Sequence, residues 1–568
     1  MKALVPLLFI VSVCAAAGMY VPAVSDGDYG SLVWMHIEEV PGKGGVYVSV
    51  KPLAGESLQS SIMDSVACAS SRGNNFSSSL LLVGSDAPDG TAMLDGPSAG
   101  VALTSLLLSM RDGSALRNDT TVTGGIAPSC EVQPVGGLAE KVEAAAKKGM
   151  RAVLVPPSGP EEAALLDRLH IETGVAVYEY SSLDEAYGLL TSDIPAGHKV
   201  SYGNASYLGE GLDSVEPNPA LDSAVEAMIS ELKGRASLIS PKLASARAYS
   251  SNKSALADTL YAKGYSYSAG NEAFLALVAL APLTRGLDDR NISALSYEVQ
   301  SCVDRVSYSL NATLLDAEHF SNAELRLYWA SREVAGHKEA PQTVSQRMRR
   351  VQSLERARLW CMLADNIVKD GLGNGSTNST RLREVVSALV NNYSKEGPAT
   401  ERLAEASDAL NRGNYGAALV LVSMHESQVS SEGTENYAPV HKWSRMLAHH
   451  SQYLSANTDY GEKSGRSIML FAKMLDRHFT EVESGEAVTL TYIAANAGAA
   501  AGGLEGNGSS APEPVGGNGG TPVQDDLQAA ADDEKAQRDR ITLLIFTLIC
   551  ILLAFAIALR ALRKARRR

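Results

Sequence analysis

Ser98 and Lys141 are the residues whose types and settings could make a nucleophile and its base. Ser98 stands in Asp95-Gly96-Pro97-Ser98-Ala99-Gly100, directly ahead of the apolar run Val101-Ala102-Leu103-Thr104-Ser105-Leu106-Leu107. Pro97 suits the first turn of a helix, where its missing N–H is no loss. The spacing predicts a helix N-terminus at the serine, with unpaired N–H groups and the positive dipole end beside it. An oxyanion formed by attack of Ser98 would meet those donors. Lys141 ends Pro134-Val135-Gly136-Gly137-Leu138-Ala139-Glu140-Lys141, at the opening of a second predicted helix that stops at Gly149. Leu138, Val142 and Ala145 make its buried face, so Lys141 sits beside apolar surface and near a positive helix end. Both disfavour an ammonium, and a neutral lysine amine can take a serine proton. Each piece alone also has a purely structural reading, a helix cap for the loop and a snorkelling side chain for the lysine.

The elements that must hold these residues are those of an α/β (α+β) domain. Short apolar strands are predicted at 46–50, 79–83, 152–155 and 175–178, alternating with helical periodicity from about Gly30 to Leu190. From about Ala220 to Glu483 alanine, leucine, serine and glutamate recur at helical spacing and strand signals nearly vanish. Ala409 to Leu419 reads as helix, glycine turn and helix, but no clean 34-residue period runs through the region. A helical bundle is the expectation, divided by the glycine- and serine-rich stretch 371–380.

Together the two chemical segments resemble the proteolytic domain of the Lon protease family. That family's serine lies in D-G-P-S-A-G and its lysine in P-x-G-G-x-x-E-K, and here Ser98 and Lys141 are 43 residues apart, as in the family. Thr123-Gly124 matches the family's T-G, and the resemblance implies that the Thr123 side chain contacts the lysine. The 148–156 stretch also looks like the family's passage from helix to strand. The resemblance covers roughly residues 30–190. Gly125 stands where the family usually has glutamate, Cys130 replaces a glycine, and Leu94 replaces a common lysine. It implies a Ser98–Lys141 dyad, with Asp95, Gly96 and Ala99 shaping the nucleophile loop, Asp95 as a loop-forming residue in preference to a modulator of the dyad. No metal, nucleotide or other cofactor is required. No G-x-x-x-x-G-K-[ST] segment occurs in the sequence, so the ATPase module of Lon proteases has no phosphate cradle here. The substrates implied are unfolded or flexible proteins, and a homo-oligomer is an expectation of the resemblance alone.

Rival constellations are weaker. His425-Glu426 lacks the second histidine of H-E-x-x-H, since position 429 is Val429. His449 and His450 are adjacent and point to different helix sides. Gly96 to Gly100 fits the letters of G-x-S-x-G, but 90–94 is a poor strand and neither His170 nor His198 sits in a partner motif.

The chain has 568 residues with 45% apolar and 20% charged side chains and a net charge of −14. Length implies two to four domains. The acidic balance excludes a nucleic-acid-binding surface for the bulk of the protein. Six basic residues in the last nine leave everything before them at −20. An apolar run from Ala3 to Val13 followed by Ala15-Ala16-Ala17 reads as a cleaved signal peptide, 1–17. The uncharged 541–559 is long enough to cross a bilayer once, and the basic 560–568 should stay cytoplasmic. Domains are expected at 28–192 (Lon-like) and 212–485 (helical), with a disordered tether at 496–538. Cys68, Cys130, Cys302 and Cys361 permit two disulfides, with all three connectivities open, and ten N-x-Ser/Thr triplets offer glycosylation sites. The composite expectation is an ATP-independent serine endopeptidase, outward-facing and held in the cell membrane by one C-terminal helix. The competing reading is a non-catalytic surface receptor or scaffold whose Lon-like domain is degenerate. Self-cleavage in the tether is a third.

Overall fold

A computed structural model describes residues 15–203 and 219–432, apart from short stretches at 26–28, 49–52, 75, 87–92, 196, 314, 316, 337–339, 371–378 and 397–399. The expected tether and the 541–559 span lie outside the described residues. So do 1–14 and the 433–485 part of the expected helical domain. Among the described residues no helix is long and apolar enough to cross a membrane.

The fold begins with a long antiparallel hairpin, β1 (Ala15–Ser25) and β2 (Tyr29–Pro41). Val21 pairs with Val33, Met19 with Met35 and Ala17 with Ile37. The buried Met19, Val21, Val33, Met35 and Ile37 alternate with more exposed neighbours, the period of a sheet with one face on a core. Its first strand precedes the expected domain start at residue 28. Strand β1 takes in the last residues, 15–17, of the segment read as a leader. The small residues Ala15 to Ala17, which resemble a cleavage site, pair with Glu39, Glu38 and Ile37 of β2, and Gly18 packs under Trp34 and His36.

Next to β2 lies β5 (Ser79–Asp86), antiparallel, and beyond it β3 (Val46–Val48), parallel to β5, so the first sheet runs β1-β2-β5-β3. The second sheet is wholly parallel, β7 (Thr120–Val122), β10 (Ala152–Val155) and β11 (Ala176–Glu179), with β10 in the middle and buried throughout. A buried central parallel strand reads as the continuous apolar run that 152–155 is. Thr121 Oγ1 donates to the Tyr20 carbonyl at 2.6 Å and ties the sheets together.

Helix α1 (Glu56–Ser71) packs on the almost wholly buried α2 (Gly100–Asp112), which lies against β1 and β2; α3 (Leu138–Lys147) touches β1, β2 and β10, and α4 (Pro160–Thr173) flanks β11. Two disulfides are present: Cys68 on α1 with Cys130, and Cys302 with Cys361, their Cα atoms 5.0 and 6.3 Å apart.

After α5 (Leu183–Thr191) the chain returns along β11, with Lys199 bridging to Tyr178, and then enters the helices α6 (Pro219–Ala236) to α14 (Tyr415–Glu432), nine among the described residues. The predicted helix–glycine–helix is α13 (Glu401–Asn411) and α14, joined at Gly413. The longest helix among the described residues, α11 (Val344–Asp370), packs on α3 and α4 as well as on α6, α8 (Ser266–Thr284) and α10 (Ala317–Ala335). One apolar core consequently runs from Val142, Val153 and Leu166 in the first domain to Met228, Leu277 and Met348 among the helices.

Candidate active site

The nucleophile loop is held from three directions. Gly96 adopts φ 100° and ψ 154°, a conformation essentially reserved for glycine, which lets the chain turn sharply between Asp95 and Pro97. Asp95 Oδ1 accepts from the Leu58 N–H at 3.1 Å, where α1 begins and its N–H groups have no partners within the helix. Bonds from the backbone of Gly96 and then Leu58 hold the Asp95 carboxyl below its ordinary range. Asp95 is therefore a loop-forming residue. Pro97 to Ala99 make a 3₁₀ turn that runs into α2. On the third side Gly124 N–H donates to the Ser98 carbonyl and Val101 N–H to the Gly124 carbonyl, each at 3.0 Å. A Cβ on residue 124 would lie 2.1 Å from the Tyr180 hydroxyl oxygen, so the second letter of the T-G pair has to be glycine. Ala99 is buried at the helix start, while Ser98 keeps partial access to solvent.

Lys141 is 3% exposed, and its Nζ lies 2.8 Å from Ser98 Oγ. The same nitrogen donates to the Gly136 carbonyl at 2.8 Å, which fixes its direction. Burial pulls the amine down to about 8, against Glu140 and Glu162, which pull it back up. A lysine with that value has a substantial neutral fraction near pH 7–8, and its lone pair can accept the Ser98 proton.

Thr123 is in the site but not in the role implied for it. Its hydroxyl donates to the Ser98 carbonyl at 3.4 Å, not to the lysine, and its own carbonyl accepts from Tyr180 Oη at 2.8 Å. The strand end carrying T-G runs beside the serine loop, so Thr123 steadies the nucleophile's backbone while Gly136 orients the amine.

Cys130 occupies the turn between β8 (Gly125–Ile126) and β9 (Val132–Gln133) with φ 68°, alone among the described non-glycine residues in having a positive φ. Glycine adopts this conformation freely; here the disulfide to α1 holds a cysteine in it. The hairpin and α1 face one another across a groove beside Pro97, lined by Glu56, Ser57, Ser61, Ile126 and Gln133 among others. Gly125, where the family has glutamate, opens this hairpin.

The histidines are elsewhere. His198 Nε2 lies 2.6 Å from Asp167 Oδ1 and its Nδ1 accepts from Val177 N–H. The His170 ring stacks on it at 4.3 Å. His425 is buried against Thr400, and His449 and His450 lie outside the described residues. No group of three or more potential metal ligands occurs among the described residues.

Sequence reasoning missed the charged shell behind the lysine. Arg349 of α11 grips Glu140 with both ends of its guanidinium, at 2.5 and 2.8 Å, and reaches Glu162 at 3.2 Å. Glu162 in turn accepts from the Ala139 N–H at 2.8 Å and so caps α3, which has no side-chain cap of its own. Nothing in the local pattern of 344–349 marks a partner two hundred residues upstream.

Comparison with known proteins agrees with this geometry. Residues 15–186 match the model of the Lon protease (S16) C-terminal proteolytic domain. The chain is 30% identical over 161 residues to a Lon protease of Azospirillum brasilense, covering 28% of this chain and 20% of that one. It is 34% identical over 110 residues to the Lon protease of Haemophilus influenzae, 19% of this chain and 14% of the relative. It is 36% identical over 114 residues to the peroxisomal Lon protease homolog 2 of Caenorhabditis elegans, 20% of this chain and 14% of the relative. The chain thus spans at most a fifth of the length of these three relatives, and their remaining parts have no counterpart in the matches. Residues 15–186 are a proteolytic domain of the Lon protease family.

Proposed function

We propose that the protein is a serine endopeptidase that works without ATP through a Ser98–Lys141 dyad. The observation that carries this is the 2.8 Å contact between a partly accessible hydroxyl and a buried amine of lowered basicity. The neutral amine takes the Ser98 proton as Oγ bonds to the scissile carbonyl carbon. Backbone N–H groups around Ser98 stabilise the oxyanion. The ammonium then protonates the leaving amine as the C–N bond breaks, leaving an acyl ester on Ser98. Water attacks that ester, Lys141 takes its proton, and the proton returns to Ser98 as the acid leaves.

The absence of a nucleotide cradle from the sequence supports substrates that are already unfolded or flexible. Two disulfides support an oxidising compartment. With the apolar 541–559 and the basic end they favour an exported domain anchored to the membrane by one helix.

Hydrolysis of casein without ATP tests the reading. Ser98→Ala and Lys141→Ala should each lower the rate at least about a hundredfold, the scale of general-base catalysis. Equal rates in all three proteins would overturn the dyad and leave the scaffold reading.

A further inference from the structure

Lys141 is flanked along α3 by two carboxylates that belong electrically to another part of the chain. Glu140, 2% exposed, is bound by Arg349 of α11. Glu143, 5% exposed, accepts from the N–H groups of Val344 and Ser345 and from the Ser345 hydroxyl, at 3.2, 2.8 and 2.6 Å, so it caps α11 from across the interface. Burial works against the charge on Glu143, but the bonds from Ser345 prevail and hold its carboxyl below the ordinary range. From α4, Glu162 joins Arg349, while the neighbouring Glu161 takes Arg356 at 2.7 Å and its carbonyl accepts from Gln352.

The other charged groups near α3 are accounted for. Lys147 pairs with Glu143, and Lys148 lies over the Tyr20 ring of β1 at 4.7 Å. Strand β2 approaches through Gly30, which packs on the Glu140 carbonyl with Tyr29 beside it, and its His36, Glu38 and Glu39 lie farther along the strand. Strand β10 brings no titratable side chain, and the serine loop brings Asp95, bonded to the start of α1.

We propose that Arg349 is a positioning residue of the dyad: it clamps Glu140 and Glu162 so that the helical region sets the protonation state of Lys141. The inference rests on the dyad reading. Arg349, Glu140 and Glu162 together carry one net negative charge. Without the guanidinium they carry two, both buried or half-buried and both acting to keep Lys141 as an ammonium. An ammonium cannot accept the Ser98 proton. A helix that touches no substrate thereby governs how much base is available.

The direction of the effect follows. Activity rises with pH as Lys141 loses its proton, with a midpoint near about 8 in the wild type. In Arg349→Met the midpoint moves up by about one pH unit, the scale of one nearby charge, so the rate at pH 7 falls about tenfold. Glu140→Gln leaves the group neutral and moves the midpoint down. Glu140→Gln/Arg349→Met restores one net negative charge and returns the midpoint to within a few tenths of the wild type. Arg349→Lys, which keeps the charge but not the fork, stays near the wild-type midpoint with a lower kcat.

The experiment measures kcat/KM for a fluorogenic unfolded substrate against pH for these variants, with circular dichroism to establish folding. The Lys141 titration is read separately, by competitive arylation of amines followed by mass spectrometry, which needs no turnover. Folded Arg349→Met with an unchanged midpoint overturns the proposal, as does Glu140→Gln without a downward shift, which decides alone if Arg349→Met fails to fold. Failure of the dyad reading looks different: arylation would then place wild-type Lys141 near the ordinary 10.5, with activity indifferent to Lys141→Ala.

Discussion

Single side chains and backbone angles fix where Ser98 sits. Gly96 bends the loop, Asp95 pins it to α1, and Thr123 and Gly124 hold the Ser98 carbonyl from the other side. Of these, Gly96 makes the cleanest test. No atom lies within 4 Å of where its Cβ would be, so a substitution there meets backbone strain and nothing else. Gly96→Ala should cost about 1–3 kcal/mol, the range for a non-glycine residue in that region. Urea denaturation measures the loss, and one below about 0.5 kcal/mol would mean that the loop relaxes. Ser98, Lys141 and the loop residues were legible in the sequence because their backbone needs are local: a proline after a glycine, two glycines ahead of a helix. The bond from Thr123 to the serine carbonyl was not legible, because it depends on how a strand end lies against a loop 25 residues away.

Among the elements, α1 and the β8–β9 hairpin wall the groove beside the nucleophile, and the Cys68–Cys130 bond joins them. The bond closes a sequence separation of 62 residues, for which the chain-entropy estimate is about 4 kcal/mol of stabilisation. Replacing Cys130 by glycine relieves its positive φ and returns about 1 kcal/mol. Cys68→Ala/Cys130→Gly should therefore lose about 3 kcal/mol of stability in denaturant. Because the walls of the groove come loose and the dyad does not, KM for a protein substrate should rise several-fold while kcat holds. An unchanged KM would detach the hairpin from substrate binding. The four strands read from apolar runs are present, but the β1–β2 hairpin was obscured at its first half, where alanine and glycine also fit a leader. Its second half, Leu32 to Ile37, carries the alternation openly.

At the scale of the whole molecule the boundary near residue 210 is a boundary of sequence character and not of packing. Val142, Leu166 and Val177 share a core with Met228, Leu277 and Met348, and α11 adds the ion pairs around Glu140 and Glu161. Two independent domains would melt in two steps. One continuous core predicts a single calorimetric transition for the protein, with the heat-inactivation midpoint of the proposed peptidase activity at the same temperature. Two separated transitions would count against the shared core. Composition marked the change from α/β to helix but gave no sign of this fusion, because an apolar helix face looks the same whether it meets a sister helix or a sheet.

Glu143 and Glu140 reach partners 202 and 209 residues later in the chain. A ribosome therefore completes the serine, the lysine and the sheets well before it delivers Ser345 and Arg349. During that interval Ser98 and Lys141 stand beside carboxylates that still lack Arg349. On the dyad reading, the base at Lys141 is set only once synthesis has passed Arg349.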